Sequence, residues 1–376
     1  MLDCKAFYEV LTGSGVDFFA GVPDSLLKDF CAFVTDHTPP ERNHITANEG
    51  AAIGLAAGHF LATGKPALVY MQNSGLGNTV NPLTSLADPA VYGIPMLIVV
   101  GWRGEPGKKD EPQHVKMGEV TRGVLDAIDV PHVVLPEDLD GARAAVADAL
   151  AAMEREQRPY ALVVKKGTFD KYKLVNKTTS PYEMTREQAI GAIVAHLPKD
   201  ILIVSTTGKP SRELFELREQ RGESHQTDFL TVGSMGHSSQ IALGVALARE
   251  DRQVMCLDGD GAAIMHMGGM ATIGSVGGAN YKHVVLNNGA HDSVGGQPTC
   301  AFSIDLTKVA DACGYAKTWL ATNPAELDAA LPEFFATDGP VLLEVRVKIG
   351  ARADLGRPTM TPRDLKREFM GAIRGE

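Results

Sequence analysis

The chain has 376 residues, enough for two ordinary domains that each bury a core. Its composition, 44% apolar and 22% charged, is that of a globular protein, and a formal charge of -10 argues against a broad basic surface for nucleic acid while allowing a local anion pocket. Five scattered cysteines (Cys4, Cys31, Cys256, Cys300, Cys313) form no CxxC pair, so neither a disulfide framework nor a zinc site is expected and a reducing cytoplasm is. The start MLDCKAFYEVL lacks the form of a signal peptide, and no apolar run approaches the ~20 residues that cross a bilayer, so no membrane partner is expected.

In chain order, residues 4–15 (CKAFYEVLTGSG) show helical apolar spacing with a glycine stop, and 16–23 (VDFFAGVP) read as a short buried strand. Residues 49–64 (EGAAIGLAAGHFLATG) are a small-residue helix, 66–72 (PALVYMQ) a strand, and 92–104 (YGIPMLIVVGWRG) an apolar strand entering a basic, glycine-rich loop that continues to His114. Strands at 131–136 and 158–167 flank an alanine-rich helix over 138–156. The polar, aperiodic stretch 173–184 (KLVNKTTSPYEM) is the best interdomain linker. The alternation then restarts with a helix at 185–197, a strand at 200–208 and a helix at 211–220. Further strands follow within 252–261 (RQVMCLDGDG), 281–289 (YKHVVLNNG) and 339–347 (GPVLLEVRV). Continuous apolar strands between helices predict two α/β domains, each a doubly wound parallel sheet covered on both faces. Ligands of such sheets sit beyond the strands' carboxyl ends, which directs attention to the loops GVPDS, QNSGLGN, GWRGEPGKKDEPQH, STTGKPSRE, VGSMGH, DGDGAA and NNGAHDSVGG.

Asp260, between Gly259 and Gly261, leaves a strand at a helix entrance, where free backbone N–H groups attract phosphate oxygens. Asn288 ends a strand 28 positions later (288 − 260), enough for a helix and a return to the sheet. A carboxylate, a carboxamide oxygen, a backbone carbonyl and phosphate oxygens suit the octahedral shell of Mg²⁺. GDG with a strand-terminal NN at this distance resembles the cofactor motif of the thiamine-diphosphate-dependent decarboxylases and carboligases. The resemblance implies thiamine diphosphate and Mg²⁺ as cofactors, with Asp260, Asn288 and the Ala290 carbonyl on the metal and Gly259, Gly261 and Ala262 at the cofactor.

VGSMGHSSQIALGVALA resembles the stretch that precedes GDG in that family, with Met235 lying 25 residues before Asp260 (260 − 235). The resemblance makes Met235 the wedge that bends the cofactor, with Gly233 and Met235 backbone groups on its aminopyrimidine; a core methionine is the plainer reading. NHITANEGAAIGLAAGHF resembles the pyrimidine-binding segment, which implies that Glu49 protonates the pyrimidine ring; the plainer reading is a glutamate favoured by the helix dipole. The resemblance spans nearly the whole chain, implies a pyrimidine-binding domain over 1–178 and a diphosphate-binding domain over 179–376, and leaves no room for the third domain of larger relatives. It also implies a homodimer or larger homo-oligomer with active sites shared between chains.

NNGAHDSVGGQPT, GKKDEPQH, STTGKPSRELFE and the tail LGRPTMTPRDLKREFM resemble the family branch that decarboxylates 2-oxo acids carrying a phosphonate or sulfonate on C3. 3-Phosphonopyruvate, converted to phosphonoacetaldehyde and CO₂ in phosphonate biosynthesis, is the substrate expected; sulfopyruvate, or carboligation of a 2-oxo acid, is the alternative. A non-enzymatic nucleotide-binding protein would require a phosphate motif of GxGxxG or GxxxxGK[ST] type, which is missing. The second anion calls for extra cations or donors, for which Ser25, Arg103, Lys108, Lys109, Lys209, Arg212 and Arg357 are candidates; Lys108, Lys109 and Arg357 equally suit a solvated surface, and Arg212 equally suits a helix start. His114 and His291 are candidates for proton transfer or anion binding. Asp24 matches a loop bearing an active-site acid in related decarboxylases, and equally fits an N-cap for the following helix.

Overall fold

The computed structural model describes residues 1–177 and 179–375. The chain divides into two compact units, Met1–Lys177 with Ser293–Gln297, and Thr178–Asp292 with Pro298–Glu376. The expected linker over 173–184 and the expected boundary at 178 fall partly on position 178, which lies outside the described residues, as does the terminal position 376.

The first unit is built on β1 (Phe19–Gly21), β2 (Asn43–Ile45), β3 (Leu68–Gln72), β4 (Leu97–Gly101), β5 (His132–Val134) and β6 (Tyr160–Val164). They form one parallel sheet in the order β2-β1-β3-β4-β6-β5, with Phe19 in register with Asn43 on one side and Leu68 on the other. Alternate residues of each strand enter opposite cores, because successive side chains of a strand point to opposite faces. Leu68, Tyr70, Leu97, Val99 and Leu162 pack with Phe7, Leu11, Phe30 and Val146 from helices on one side. Val69, Met71, Ile98, Val100 and Val163 pack with Ile53, Ala56, Leu76 and Leu125 on the other. The apolar residues on both faces of β3, β4 and β6 therefore serve two cores.

The second unit contains β7 (Leu202–Ser205), β8 (Asp228–Leu230), β9 (Val254–Gly259), β10 (Tyr281–Asn287), β11 (Lys317–Ala321) and β12 (Val341–Arg346). Their order is β11-β12-β10-β9-β7-β8, again parallel throughout. One face is apolar: Ile203, Met255, Leu257, Val284, Leu286, Leu343 and Val345 pack with Ile190, Leu214, Leu327, Phe334 and Leu365 from helices. The opposite face of β9, β10 and β12 carries buried polar groups, Asp258, His283 and Glu344. Among the described residues no helix is long and apolar enough to cross a membrane.

Two loop readings differ from the structure. Residues 112–114 belong to the helix Pro112–Ala127, with Pro112 at its first turn, so His114 sits in a helix and not in the glycine-rich loop. Lys209 likewise opens the helix Lys209–Arg221. Prolines at N1 are compatible with a helix because the missing N–H there has no intrahelical partner.

Candidate active site

In the first unit every singled-out group follows the carboxyl end of a strand: Asp24 and Ser25 after β1, Glu49 after β2, Asn73–Asn78 after β3, and Arg103 after β4. Asn48 caps the helix Glu49–Thr63 by accepting from the Ala51 N–H at 2.9 Å, which fixes Glu49 as its first residue. The Glu49 side chain is buried, and its Oε2 accepts from Asn78 Nδ2 at 2.7 Å. Gly75 closes on the same carboxyl: a Cβ there would lie 2.3 Å from Glu49 Oε1, so only glycine permits the approach.

Asp24 is completely buried. Its Oδ2 accepts from the Leu26 and Leu27 N–H groups at 2.9 and 3.2 Å, so the carboxylate caps the turn that leads into the next helix. Burial pushes its carboxyl up to about 6, against the opposing pull of those N–H groups and of the Arg103 charge. Gly101 makes room for it, since a Cβ there would stand 2.0 Å from Oδ2.

Arg103 gathers the neighbouring groups. Its Nε and a terminal nitrogen form a fork on Asp110, with Nε at 2.8 Å from Oδ2, and its other terminal nitrogen donates to Ser25 Oγ at 2.7 Å. That fork holds the Asp110 carboxyl well below the usual carboxylate range. The Arg103 carbonyl accepts from the buried Asn73 side chain at 2.8 Å, so the loop is fixed at its backbone as well. His114 is half-buried, with Nδ1 buried and lacking a hydrogen-bond partner among the described residues. Burial, and next the Arg103 charge, lower its pKa and favour the neutral ring. Lys108 and Lys109 are exposed, which fits the solvated reading.

In the second unit, Asp260 follows β9 and Asn288 follows β10, adjacent strands of the sheet. Both are buried. Asp260 Oδ2 accepts from Thr299 Oγ1 at 2.6 Å. Burial pushes the Asp260 carboxyl up to about 6, with Thr299 and the Gly261 and Asn288 N–H groups working the other way. Asn288 Oδ1 accepts from the Ala290 N–H at 3.0 Å, and the Ala290 carbonyl accepts from the Asp292 N–H at 2.9 Å, so both ends of this turn are fixed. Thr206, after β7 and beside Gly259, carries a buried hydroxyl without a hydrogen-bond partner among the described residues.

The turn over 233–236 is built from left-handed residues, Ser234 at φ 56° and Gly236 at φ 85°. Gly236 lies where a Cβ would meet His266 at 2.6 Å, so the turn packs tightly on the residues after Asp260. This presents Met235: its Cε and His291 Cε1 both approach Gly261, at 3.2 and 3.3 Å from the place a Cβ would occupy. Met235 is half-buried and so is no ordinary core methionine. Burial pushes the His291 imidazole down to about 4.

These residues fit a magnesium–diphosphate group. Asp260, Asn288 and the Ala290 carbonyl offer hard oxygens only, and a buried carboxylate whose charge is disfavoured by its surroundings is what a divalent cation stabilises. The unpartnered Thr206 hydroxyl is a donor for a phosphate oxygen.

The remaining cationic candidates are dispersed. Lys209 Nζ is engaged by Asp292, 2.9 Å from its carboxylate and 3.2 Å from its carbonyl, so it clamps the loop bearing His291. Arg186, forked on buried Glu213 at 2.6 and 2.7 Å, reaches the same Asp292 at 3.4 Å. Arg212 lies half-buried in the first turn after Lys209, and Arg357 is exposed on the segment after β12. Sequence reasoning missed Asn78, Asp110, Thr299 and Asp292. Each lies in or beside a loop already singled out, but none carries a motif of its own.

Two family descriptions match the chain: "Thiamine pyrophosphate enzyme, N-terminal TPP binding domain" over residues 4–127, and "Thiamine pyrophosphate enzyme, C-terminal TPP binding domain" over residues 206–345. The chain is 40% identical to a phosphonopyruvate decarboxylase of Streptomyces viridochromogenes, covering 96% of this chain and 93% of that protein. It is 38% identical to a phosphonopyruvate decarboxylase of Streptomyces hygroscopicus over 98% and 93% of the two chains. Identity to a sulfopyruvate decarboxylase of Methanosarcina acetivorans is 28% over 96% and 95%.

Proposed function

We infer, from a chain that belongs to the thiamine pyrophosphate enzyme family, that it decarboxylates 3-phosphonopyruvate to phosphonoacetaldehyde and CO₂. It is a thiamine-diphosphate-dependent decarboxylase, with Mg²⁺ as the cofactor's partner. The observation that carries the substrate is the 40% identity, over nearly the full length of both chains, to a phosphonopyruvate decarboxylase, against 28% for a sulfopyruvate decarboxylase.

When bound, thiamine diphosphate supplies the nucleophilic carbon and the electron sink for loss of CO₂. The chain's own residues bind, orient and move protons. Asp260, Asn288 and the Ala290 carbonyl would hold Mg²⁺, while Gly259, Gly261 and Ala262 would let the diphosphate approach the backbone. Met235, with the Gly233 and Met235 backbone groups, would hold the aminopyrimidine part. Glu49, held by Asn78, would be the acid that supplies a proton to that ring.

Arg103, its fork held by Asp110, is the chief binder of the phosphonate, through its charge and the terminal nitrogen that it shares with Ser25. Arg212 and Arg357 are weaker candidates for the same anion. Asp24, pushed up to about 6, is the group best poised to exchange a proton with substrate near neutral pH, while His291 and His114, whose lowered pKa keeps the rings neutral there, serve as uncharged hydrogen-bond partners for it.

The catalytic assembly is a homodimer or larger homo-oligomer. Its support is the family resemblance, which implies active sites shared between chains, and the exposure of Leu55 and Leu61 on the helix opening with Glu49. Sedimentation of the holoenzyme gives the assembly size, and a monomer with full activity contradicts it.

The paired substrate assay tests the whole reading: CO₂ release from phosphonopyruvate and from sulfopyruvate, with thiamine diphosphate and Mg²⁺ supplied. A higher kcat/KM for phosphonopyruvate and free aldehyde product are expected. A preference for sulfopyruvate reassigns the substrate, and acyloin in excess of aldehyde reassigns the reaction to carboligation.

A further inference from the structure

We propose that Asp258, His283 and Tyr315 form a buried positioning relay that holds the magnesium-binding turn in place, an inference that rests on Asp260 and Asn288 being the magnesium ligands. Asp258 and His283 are 0% and 1% exposed, on the polar face of β9 and β10 described above. Such groups are costly to bury and persist where they are paired.

His283 Nδ1 lies 3.1 Å from the Tyr315 hydroxyl, which holds the ring on that side, while its Nε2 faces Asp258 Oδ2 at 3.5 Å, a close polar contact in which neither buried atom has a hydrogen-bond partner among the described residues. Asp258 Oδ1 accepts from the Gly259 N–H at 2.9 Å, and Gly259 leads directly into Asp260. One end of the relay thus grips the backbone that delivers the first magnesium ligand. Its middle member stands on the strand that ends at Asn287, one residue before the second ligand. In the sheet His283 is in register with Cys256 and Asp258 with Val285, so the Asp258–His283 pair crosses diagonally between the two strands.

Stability alone does not call for this arrangement. The sheet ladder already joins β9 to β10, and a pair of well-packed apolar side chains in place of a buried polar pair is commonly neutral or stabilising. What an apolar pair lacks is a directed acceptor for the Gly259 N–H. The relay therefore acts on its neighbours' orientation, as partners behind a metal ligand do. A rival use of the same atoms is a transition-metal site, since Cys256 Sγ and ligand atoms of Asp258 and His283 lie within 4.8 Å of one another.

The test is calorimetric titration of Mg²⁺ into the full-length protein saturated with thiamine diphosphate, for wild type, Asp258→Asn, His283→Gln, the double variant and Tyr315→Phe. Each single variant at Asp258 or His283 is expected to weaken Mg²⁺ about 10- to 100-fold. The double variant, a matched neutral pair, is expected to recover part of that loss, and Tyr315→Phe to move in the same direction by less. Tyr315→Phe keeps the buried ring and serves as the informative variant where a change at Asp258 or His283 prevents folding. Folded variants with a lowered Tm and an unchanged Mg²⁺ affinity overturn the proposal in favour of plain packing. One equivalent of zinc or another transition metal in the purified wild-type protein, lost in Cys256→Ser, overturns it in favour of the metal site. Wild-type protein that shows no Mg²⁺-dependent binding of thiamine diphosphate removes the cofactor reading itself, and the relay with it.

Discussion

Replacing Asp24 by asparagine separates the electrostatic burden of a buried acid from its capping role. The Asp24 carboxyl is raised from an ordinary 3.8 to about 6, chiefly by burial. Between those values the folded chain binds the proton more tightly than the unfolded chain, so stability falls as pH rises through the window and remains lower above it. The span from 3.8 to about 6, at about 1.4 kcal/mol per pH unit, corresponds to about 3 kcal/mol. Asparagine carries no charge to desolvate, and its amide oxygen can still accept from Leu26, at a loss of about 1 kcal/mol for the weaker acceptor. Asp24→Asn is therefore expected to be more stable than wild type by about 2 kcal/mol at pH 8 and slightly less stable at pH 4. The chain has two tryptophans, Trp102 in the first unit and Trp319 in the second, so urea unfolding of both proteins in a Trp319→Phe background reports on the unit that holds Asp24. Other titrating groups are shared and cancel in the difference. A difference that stays constant from pH 4 to pH 8, or that favours wild type at the higher pH, refutes the reasoning.

Glu49→Gln keeps a side chain able to meet Asn78, so thiamine diphosphate should still bind by calorimetry while CO₂ release falls at least ~100-fold; unchanged turnover removes Glu49 from proton delivery. Arg103→Lys keeps a charge but loses the fork that meets Asp110 and Ser25 together, and steady-state kinetics should show KM for phosphonopyruvate up by about 10-fold or more with kcat less affected. An unchanged KM moves the anion site elsewhere. Lys209→Met leaves Asp292 with Arg186 alone and should cost about 1 kcal/mol in thermal unfolding, lowering kcat more than it raises KM. A large KM rise with kcat intact instead returns Lys209 to the substrate.

The sheets were legible in the sequence because runs such as Leu97–Val100 and Val254–Leu257 are apolar throughout, as strands of a parallel sheet covered on both faces are, even though β9, β10 and β12 also bury Asp258, His283 and Glu344. β2 was not, because Asn43–Ile45 is three residues long and half-buried. The helix Pro112–Ala127 hid behind a run of glycine, proline and charge, although proline at its first turn is itself a helix-start signal. Asp260, Asn288, Met235 and Glu49 were legible as sites because each sits in a motif at fixed spacing. Their partners were not: Asn78 meets Glu49 across 29 positions and Thr299 meets Asp260 across 39, separations set by how strands pair and loops return. Asp258 lay within the quoted DGDG run, yet nothing local indicates that its partner is His283 on the next strand. For Asp24 the sequence allowed a helix N-cap or an acid; the helix that follows has Leu27 at its N-cap without a side-chain bond, and Asp24 instead holds the turn before it through the Leu26 and Leu27 N–H groups, with a carboxyl that burial pushes up to about 6.

The most direct measurement is the affinity of the purified protein for thiamine diphosphate with and without Mg²⁺, repeated on Asp260→Ala. Tight binding that requires the metal and is lost in the variant is the result expected of a carboxylate and a carboxamide set at the ends of β9 and β10. Binding indifferent to Mg²⁺, or retained in full by Asp260→Ala, contradicts the account.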